Sequence, residues 1–320
     1  MNKTFKYKLL ILIGLLLAAF YYGLVNGSSK LTLSQLLLTE NSHIFSLRLS
    51  RVIMSAISGM GLAVSGLALQ AILRNPLAEP YLLGTSSGAG LGSVLAVVLG
   101  VSSIYLPLAS FIGALLTIIL VYNLARQSNK VGVQSLILSG VIASIAISGV
   151  IVFLISVSGN EALHGALWWL WGSMQIYDLW LLTVVSAVVI LGIFAIYILA
   201  QDLNAISIGE EEAMHLGINT EKLKKTIFFI TSLITAALVC ACGIIGFVGL
   251  VIPHMMRFVV GPNHKVLIPT ACLAAATFMI ISDTLSRTLF SPIEVPIGVI
   301  TAVIGAPLFI ILLKRRTRVS

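Results

Sequence analysis

Long apolar runs interrupted by short charged clusters make up almost the whole chain, and the interruptions set the scale for reading it. A bilayer's hydrocarbon core is roughly 30 Å thick and takes about 20 helical residues to cross. Charge inside that core is costly, so the distance between neighbouring charged residues measures a span. One span each fits between Lys8 and Lys30, Arg51 and Arg74, Asp178 and Asp202, Lys265 and Asp283, and Glu294 and Lys314. Two fit between Glu79 and Arg126, divided near residues 100–107, and one starts near Val133 in the run that ends at Glu161. The first run, residues 9–26, is long enough to span and is followed by no small-residue cleavage site, so it reads as a helix rather than a signal peptide.

The 31 residues between Lys225 and Arg257 are long for one helix and short for two. Parity decides between them, because cytoplasmic loops carry the excess of Lys and Arg. Two spans broken at the glycines of residues 243–249 put both termini on one side. That side then holds fifteen of the 19 basic residues, leaving Lys30, Arg48, Arg51 and Arg287 opposite. A single span there gives ten against nine. The pattern therefore predicts an all-α, polytopic membrane bundle of about ten helices, one domain over residues 1–320, with both termini cytoplasmic. Small residues such as Gly59, Gly61, Ser65 and Gly66, or Gly84, Gly88, Gly90 and Gly92, allow those helices to pack closely.

Composition agrees: 58% of residues are hydrophobic and 9% charged, against about a quarter charged in soluble domains. The net charge of +8 does not point to nucleic acid, because the basic residues sit in clusters between apolar runs. Cys240, Cys242 and Cys272 lie inside apolar runs and form no disulfide framework. Alternating cysteines point about 200° apart on a helix, which argues against Cys240 and Cys242 as a metal pair. His254, Met255 and Met256 fit packing better than haem ligation. Trp168, Trp169 and Trp171 precede a span and read as an interfacial aromatic belt.

Four stretches are more than apolar filler. Residues 202–225, DLNAISIGEEEAMHLGINTEKLKK, form the longest internal polar segment, on the cytoplasmic side, and read as two short helices. Ser207 and Glu210 have capping-box spacing, Gly217 is a helix stop, and Asn219 or Thr220 starts the next helix. The acidic run Glu210, Glu211, Glu212 suits a protein partner better than an anionic lipid surface. On the other side, RLSR sets Arg48 and Arg51 on one helix face. Cations at a helix N-terminus oppose its dipole, so they serve something else. With Arg287 they are either snorkelling side chains or a docking patch for acidic groups. RNPLAEPYLLGTSSGAG from Arg74 and GFVGLVIP from Gly246 break helices at prolines and glycines, which fits a pathway.

There is no G-x-x-x-x-G-K-[ST] in the chain, so ATP energy would have to come from a partner. All eleven acids lie in loops or near interfaces, Asp283 being the nearest exception, which disfavours an ion-coupled carrier. No catalytic constellation supports a membrane enzyme. ATP-driven permease, secondary carrier and membrane enzyme are the three classes left to weigh.

Taken in order, RLSR at Arg48, LAVSGLALQAILRNPLAEPYLLGTSSGAG from Leu62, WLWGSM at Trp169, LNAISIGEEEAMHLG from Leu203, GFVGLVIPHMMR from Gly246, SDTLSRTL at Ser282 and EVPIGVITAVIGAPLFIILL from Glu294 resemble the permease family of ATP-binding-cassette importers for iron siderophores, haem and cobalamin. The resemblance covers nearly the whole chain. It implies a bacterial or archaeal cytoplasmic-membrane subunit that pairs with a second copy and two ATP-binding subunits, which hold the ATP and Mg, so that no cofactor sits in this chain. It implies that Arg48, Arg51 and Arg287 dock an extracytoplasmic substrate-binding protein. Coupling to the ATPase would fall on Ser207, Gly209, Glu210, Glu211, Glu212, Ala213, Leu216 and Gly217. Val133 and Gln134 stand where the family often has small hydroxyl residues at a gate, and Gly84 and Ser86 line the other broken segment. Ser50 replaces the family's usual proline in RLPR, softening the helix start without removing either charge.

Overall fold

The computed structural model describes residues 3–27, 32–36, 38–127, 130–158 and 171–316. The segment holding Trp168 and Trp169, and Lys30, lie outside the described residues. The helices are α1 (Lys3–Val25), α2 (Leu33–Leu36), α3 (Ser42–Ile72), α4 (Thr85–Val98), α5 (Leu106–Ala125), α6 (Val133–Val157), α7 (Leu179–Ile198), α8 (Ala200–Ile208), α9 (Glu210–His215), α10 (Thr220–Cys242), α11 (Val248–Val260), α12 (His264–Thr288) and α13 (Ile297–Arg316). The only strands among the described residues are an antiparallel pair of two residues each, Arg126–Gln127 with Lys130–Val131, between α5 and α6.

Among the described residues seven helices are long and apolar enough to cross a membrane: α1, α3, α5, α6, α7, α10 and α12. Three more, α4, α11 and the apolar part of α13, are shorter. The run between Lys225 and Arg257 is broken at residues 243–247, where the glycines stand. Three helix starts are capped by short polar side chains, as an orphaned amide in an apolar setting requires. Asp178 accepts from Trp180 N–H at 2.8 Å, Asn219 from Lys222 N–H at 2.9 Å and Asn263 from Lys265 N–H at 3.0 Å.

The bundle is organised around α3, which is buried over most of its length and touches α7, α10, α11 and α12. Small residues make those contacts possible. A Cβ added at Gly66 would lie 1.9 Å from the carbonyl oxygen of Gly249, so α3 and the first turn of α11 meet backbone to backbone. α1 is peripheral and packs mainly on α12, with Ala19, Val52 and Ile280 forming its small buried seam.

Replacing Gly66 by Ala should force α3 and α11 apart and cost about 1–3 kcal/mol or more, read as a lower thermal midpoint of the detergent-solubilised protein. Ala at Gly14, which meets nothing within 4 Å, should leave the midpoint unchanged.

Candidate functional site

Two polar clusters occupy opposite ends of α3, a helix of 31 residues and hence roughly 46 Å long. At the N-terminal end the three arginines predicted as a patch do come together, but as buried groups: Arg48, Arg51 and Arg287 are 5%, 8% and 4% exposed. Arg51 Nε donates to Asp283 Oδ1 at 2.8 Å, and its Nη1 reaches both oxygens of Glu294, at 3.0 and 2.9 Å. Arg287 Nε lies 3.2 Å from Asp283 Oδ2, within ion-pair distance but off the line of a hydrogen bond. Arg48 Nη1 donates to the carbonyls of Leu24 and Val25 at 2.9 and 2.7 Å, and Arg287 Nη2 donates to that of Gly23.

Arg48 serves the C-terminal carbonyls of α1, where a cation is favourable, rather than its own helix. Ser50 is no helix start either: α3 begins at Ser42, and the Ser50 hydroxyl donates to Ser46 C=O at 2.9 Å within it. The arginines are therefore not a free cationic patch; they fasten α1, α3, α12 and the segment before α13. They open to the surface through a cavity of about 220 Å³, shared with Gln175 and the half-exposed Glu294.

At the other end, α8 and α9 form a compact pair seated on the core by Leu203, Ile206 and Ala213, each fully buried. The predicted capping box does not form. Ser207 lies inside α8 and donates to Leu203 C=O at 2.6 Å, while the N-cap of α9 is the buried Gly209. The Glu212 carboxylate lies against Gly209 instead. The helix stop is at Gly217, whose φ of +81° suits glycine, with Gly217 N–H and Ile218 N–H donating to Met214 and Ala213 carbonyls. Glu210 is paired with Lys224 at 3.1 Å, and Lys224 also holds Glu221. Glu211 and Glu212 face solvent, and so do Ile208, Met214 and Leu216, at 73%, 54% and 71% exposure. An acidic and apolar tip on a rigid base is a protein-docking arrangement.

Between these ends lies a feature that the charge count missed. Glu79 folds back from the loop after α3, and its Oε1 accepts from Phe247 N–H at 3.0 Å, while Tyr81 Oη accepts from Ile245 N–H at 3.2 Å. These bonds satisfy the broken backbone ahead of α11, where Phe247 has φ +70°. The signals were a Glu between two prolines and a glycine-rich break far along the chain, with nothing in the sequence to pair them.

Gly84, at φ +76°, ends the 3-10 turn Pro80–Leu83 and begins α4, wedged against Thr117 and Ser144, with Ser86 beside it. Val133 and Gln134 open α6, Val133 packed on the core and Gln134 exposed. Gly84 packs on α6 at Gly140 and Ser144, further along the helix that Val133 and Gln134 begin. Cys240, Cys242 and Cys272 are free thiols, His254 packs edge-on against Phe258 and Phe309, and no group of three metal-binding side chains occurs among the described residues. Trp171 is exposed. Asp283, the nearest candidate for an ion-coupling carboxylate, is already neutralised by two arginines.

The fold is a helical membrane bundle with a buried ion-paired cluster at one end of α3 and an exposed acidic and apolar tip at the other. The sequence matches the FecCD transport family over residues 4–315, and the chain belongs to that family. It is 38% identical over 271 residues to the cobalamin import system permease protein BtuC of Halobacterium salinarum, covering 84% of this chain and 73% of that protein. It is 34% identical over 281 residues to the hemin transport system permease protein HmuU of Yersinia pestis, covering 86% and 84%. Among solved structures, the inward-facing conformation of a metal-chelate type ABC transporter superimposes with a TM-score of 0.88 at 33% identity, covering 97% of this chain and 99% of that one. The protein is thus a multi-pass membrane permease of an ATP-binding-cassette importer.

Arg51→Ala would leave the buried Asp283 with one poorly aligned partner. Stability should fall by about 3–5 kcal/mol, and removing Asp283 as well should recover part of the loss. Thermal unfolding of the single and double variants in detergent measures both. Glu79→Ala should cost about 1–3 kcal/mol for the stranded Phe247 amide, and Glu79→Gln, which keeps an acceptor, much less.

Proposed function

We propose that this chain is the translocating subunit for a bulky chelate, an iron complex such as a siderophore or haem, or cobalamin. The cargoes named for the relatives, cobalamin and hemin, support that class, as does the metal-chelate transporter it superimposes on. All ten apolar helices cross the cytoplasmic membrane in this reading, with both termini inside, and residues 1–320 act as one permease domain. A second copy of the chain completes the pathway, and α6, with Ile142, Ile145 and Val152 exposed, offers an apolar wall for it. Gly84 and Ser86 on the broken segment before α4, and Val133 and Gln134 at the start of α6, are the gate candidates.

The observation that carries the reading is the α8–α9 element. Its buried base transmits force to the core, and its exposed Ile208, Met214 and Leu216, flanked by Glu211 and Glu212, seat a partner. That partner is an ATP-binding subunit, two per assembly, holding the ATP and Mg. Its closure moves α8 and α9 and switches the side to which the pathway opens. No covalent step and no bound cofactor belongs to this chain. At the far end, an extracytoplasmic substrate-binding protein docks its acidic side chains over the arginine cluster, whose three arginines outnumber Asp283 and Glu294. Its surface opening lies beside Arg48 and Gln175.

Affinity purification of the tagged chain from native membranes, followed by reconstitution, tests this. An ATP-binding subunit should co-purify at one per permease, and uptake should require ATP. A chain that purifies alone and transports without ATP is a secondary carrier, the alternative reading. Leu216→Asp should leave the permease folded and reduce retention of the ATP-binding subunit at least tenfold; unchanged retention would move the docking site elsewhere.

A further inference from the structure

A cavity of about 750 Å³ opens beside α8, between the end of α3, α11 and the start of α12. Its lining contains Arg74, Arg257, His254 and His264 and no carboxylate. Arg257 donates to Gln70 Oε1, and among the described residues neither Arg257 nor Arg74 belongs to an ion pair. His264 is 3% exposed. Its Nδ1 is held by Asn204 Oδ1 at 2.7 Å, an orientation set by Asn204 Nδ2 donating to Asn263, and its Nε2 has no hydrogen-bond partner. With Nδ1–H donating to the Asn204 oxygen, Nε2 is the acceptor of a neutral ring and is no partner for a carboxylate, so the pull on an anion in this cavity comes from the two arginines.

Arg74 supplies a separate observation. It occupies the residue just past the end of α3 at φ +47°, with Arg74 N–H donating to Ala71 C=O and Asn75 N–H to Gln70 C=O. This left-handed position is one that glycine fills without strain. An arginine there is paid for in backbone strain, so its charge has a use outside the helix end.

We propose that the cavity receives an acidic side chain of the ATP-binding subunit, held between Arg74 and Arg257. This rests on the importer reading above. A lipid phosphate would meet the same charges, but Ser207 and Ile208, the exposed last turn of α8, form the cavity wall and lead directly into the α9 docking element. A subunit seated on α9 therefore lies at the cavity mouth. The occupant ties the strained end of α3 to α8, since Asn204 of α8 also accepts from His264 N–H at 2.8 Å.

The test uses the wild-type complex and the ATP-binding subunit recovered from it, titrated onto permease variants in nanodiscs. Arg74→Gly relieves the strain, so its thermal midpoint should equal or exceed wild type while the subunit binds roughly tenfold or more weakly. Arg257→Ala should weaken binding similarly, and Arg257→Lys less. Unchanged affinity in a folded Arg74→Gly protein overturns the proposal. So does native mass spectrometry that finds a phospholipid lost on Arg257→Ala while subunit affinity stays the same. A wild-type chain that recovers no ATP-binding subunit overturns the importer reading itself, a distinguishable result.

Discussion

Lipid offers no hydrogen bonds, and this structure is shaped by where its helices must nonetheless stop. Two of the interruptions are answered by side chains from elsewhere. The break before α11 is met by Glu79 and Tyr81, and the end of α1 by Arg48 and Arg287. The end of α3 is met by its own backbone, at the expense of a left-handed Arg74. The polar stitches let the breaks exist without unravelling the bundle.

The arginine cluster shows one group of residues serving two ends. Buried Arg51 and Asp283 are expensive to desolvate, and the pair holds only while its geometry stays good. That geometry links α3 to α12 and, through Glu294, to the segment leading into α13. A binding protein presenting carboxylates at this surface would compete with Asp283 and Glu294 for the same guanidinium groups. Docking would then act on the helix arrangement itself, a direct route from occupancy outside to conformation within.

At the opposite end, α8 and α9 are anchored from several sides. Leu203, Ile206 and Ala213 bury their inner face, and Lys224 ties Glu210 to α10. Asn204 and His264 join α8 to α12, and close by Gln70 joins α3 to α11 by donating to Gly249 C=O.

The sequence by itself determined the helical membrane class, the break at residues 243–247 and the polar element at 202–225, because lipid exacts a cost for every charge and that cost is visible one residue at a time. The charge gaps did not set every helix bound, since α3 runs through Arg48 and Arg51 and α12 through Asp283 and Arg287. The helix stop at Gly217 and the start at Asn219 were equally local. Tertiary structure alone decided what the charges face. Arg51 finds Asp283 232 positions away, Arg257 finds Gln70 187 away, and Glu79 finds Phe247 168 away. The same three arginines read equally well as an exposed patch or as buried pins until the fold brings their partners in, since an ion pair is defined by distance in space and leaves no period or spacing in the chain. Ser207 failed as a cap for a related reason: its spacing was right, but α8, with Leu203 and Ile206 buried, runs on through Ile208, and Gly209 two residues later took the capping position.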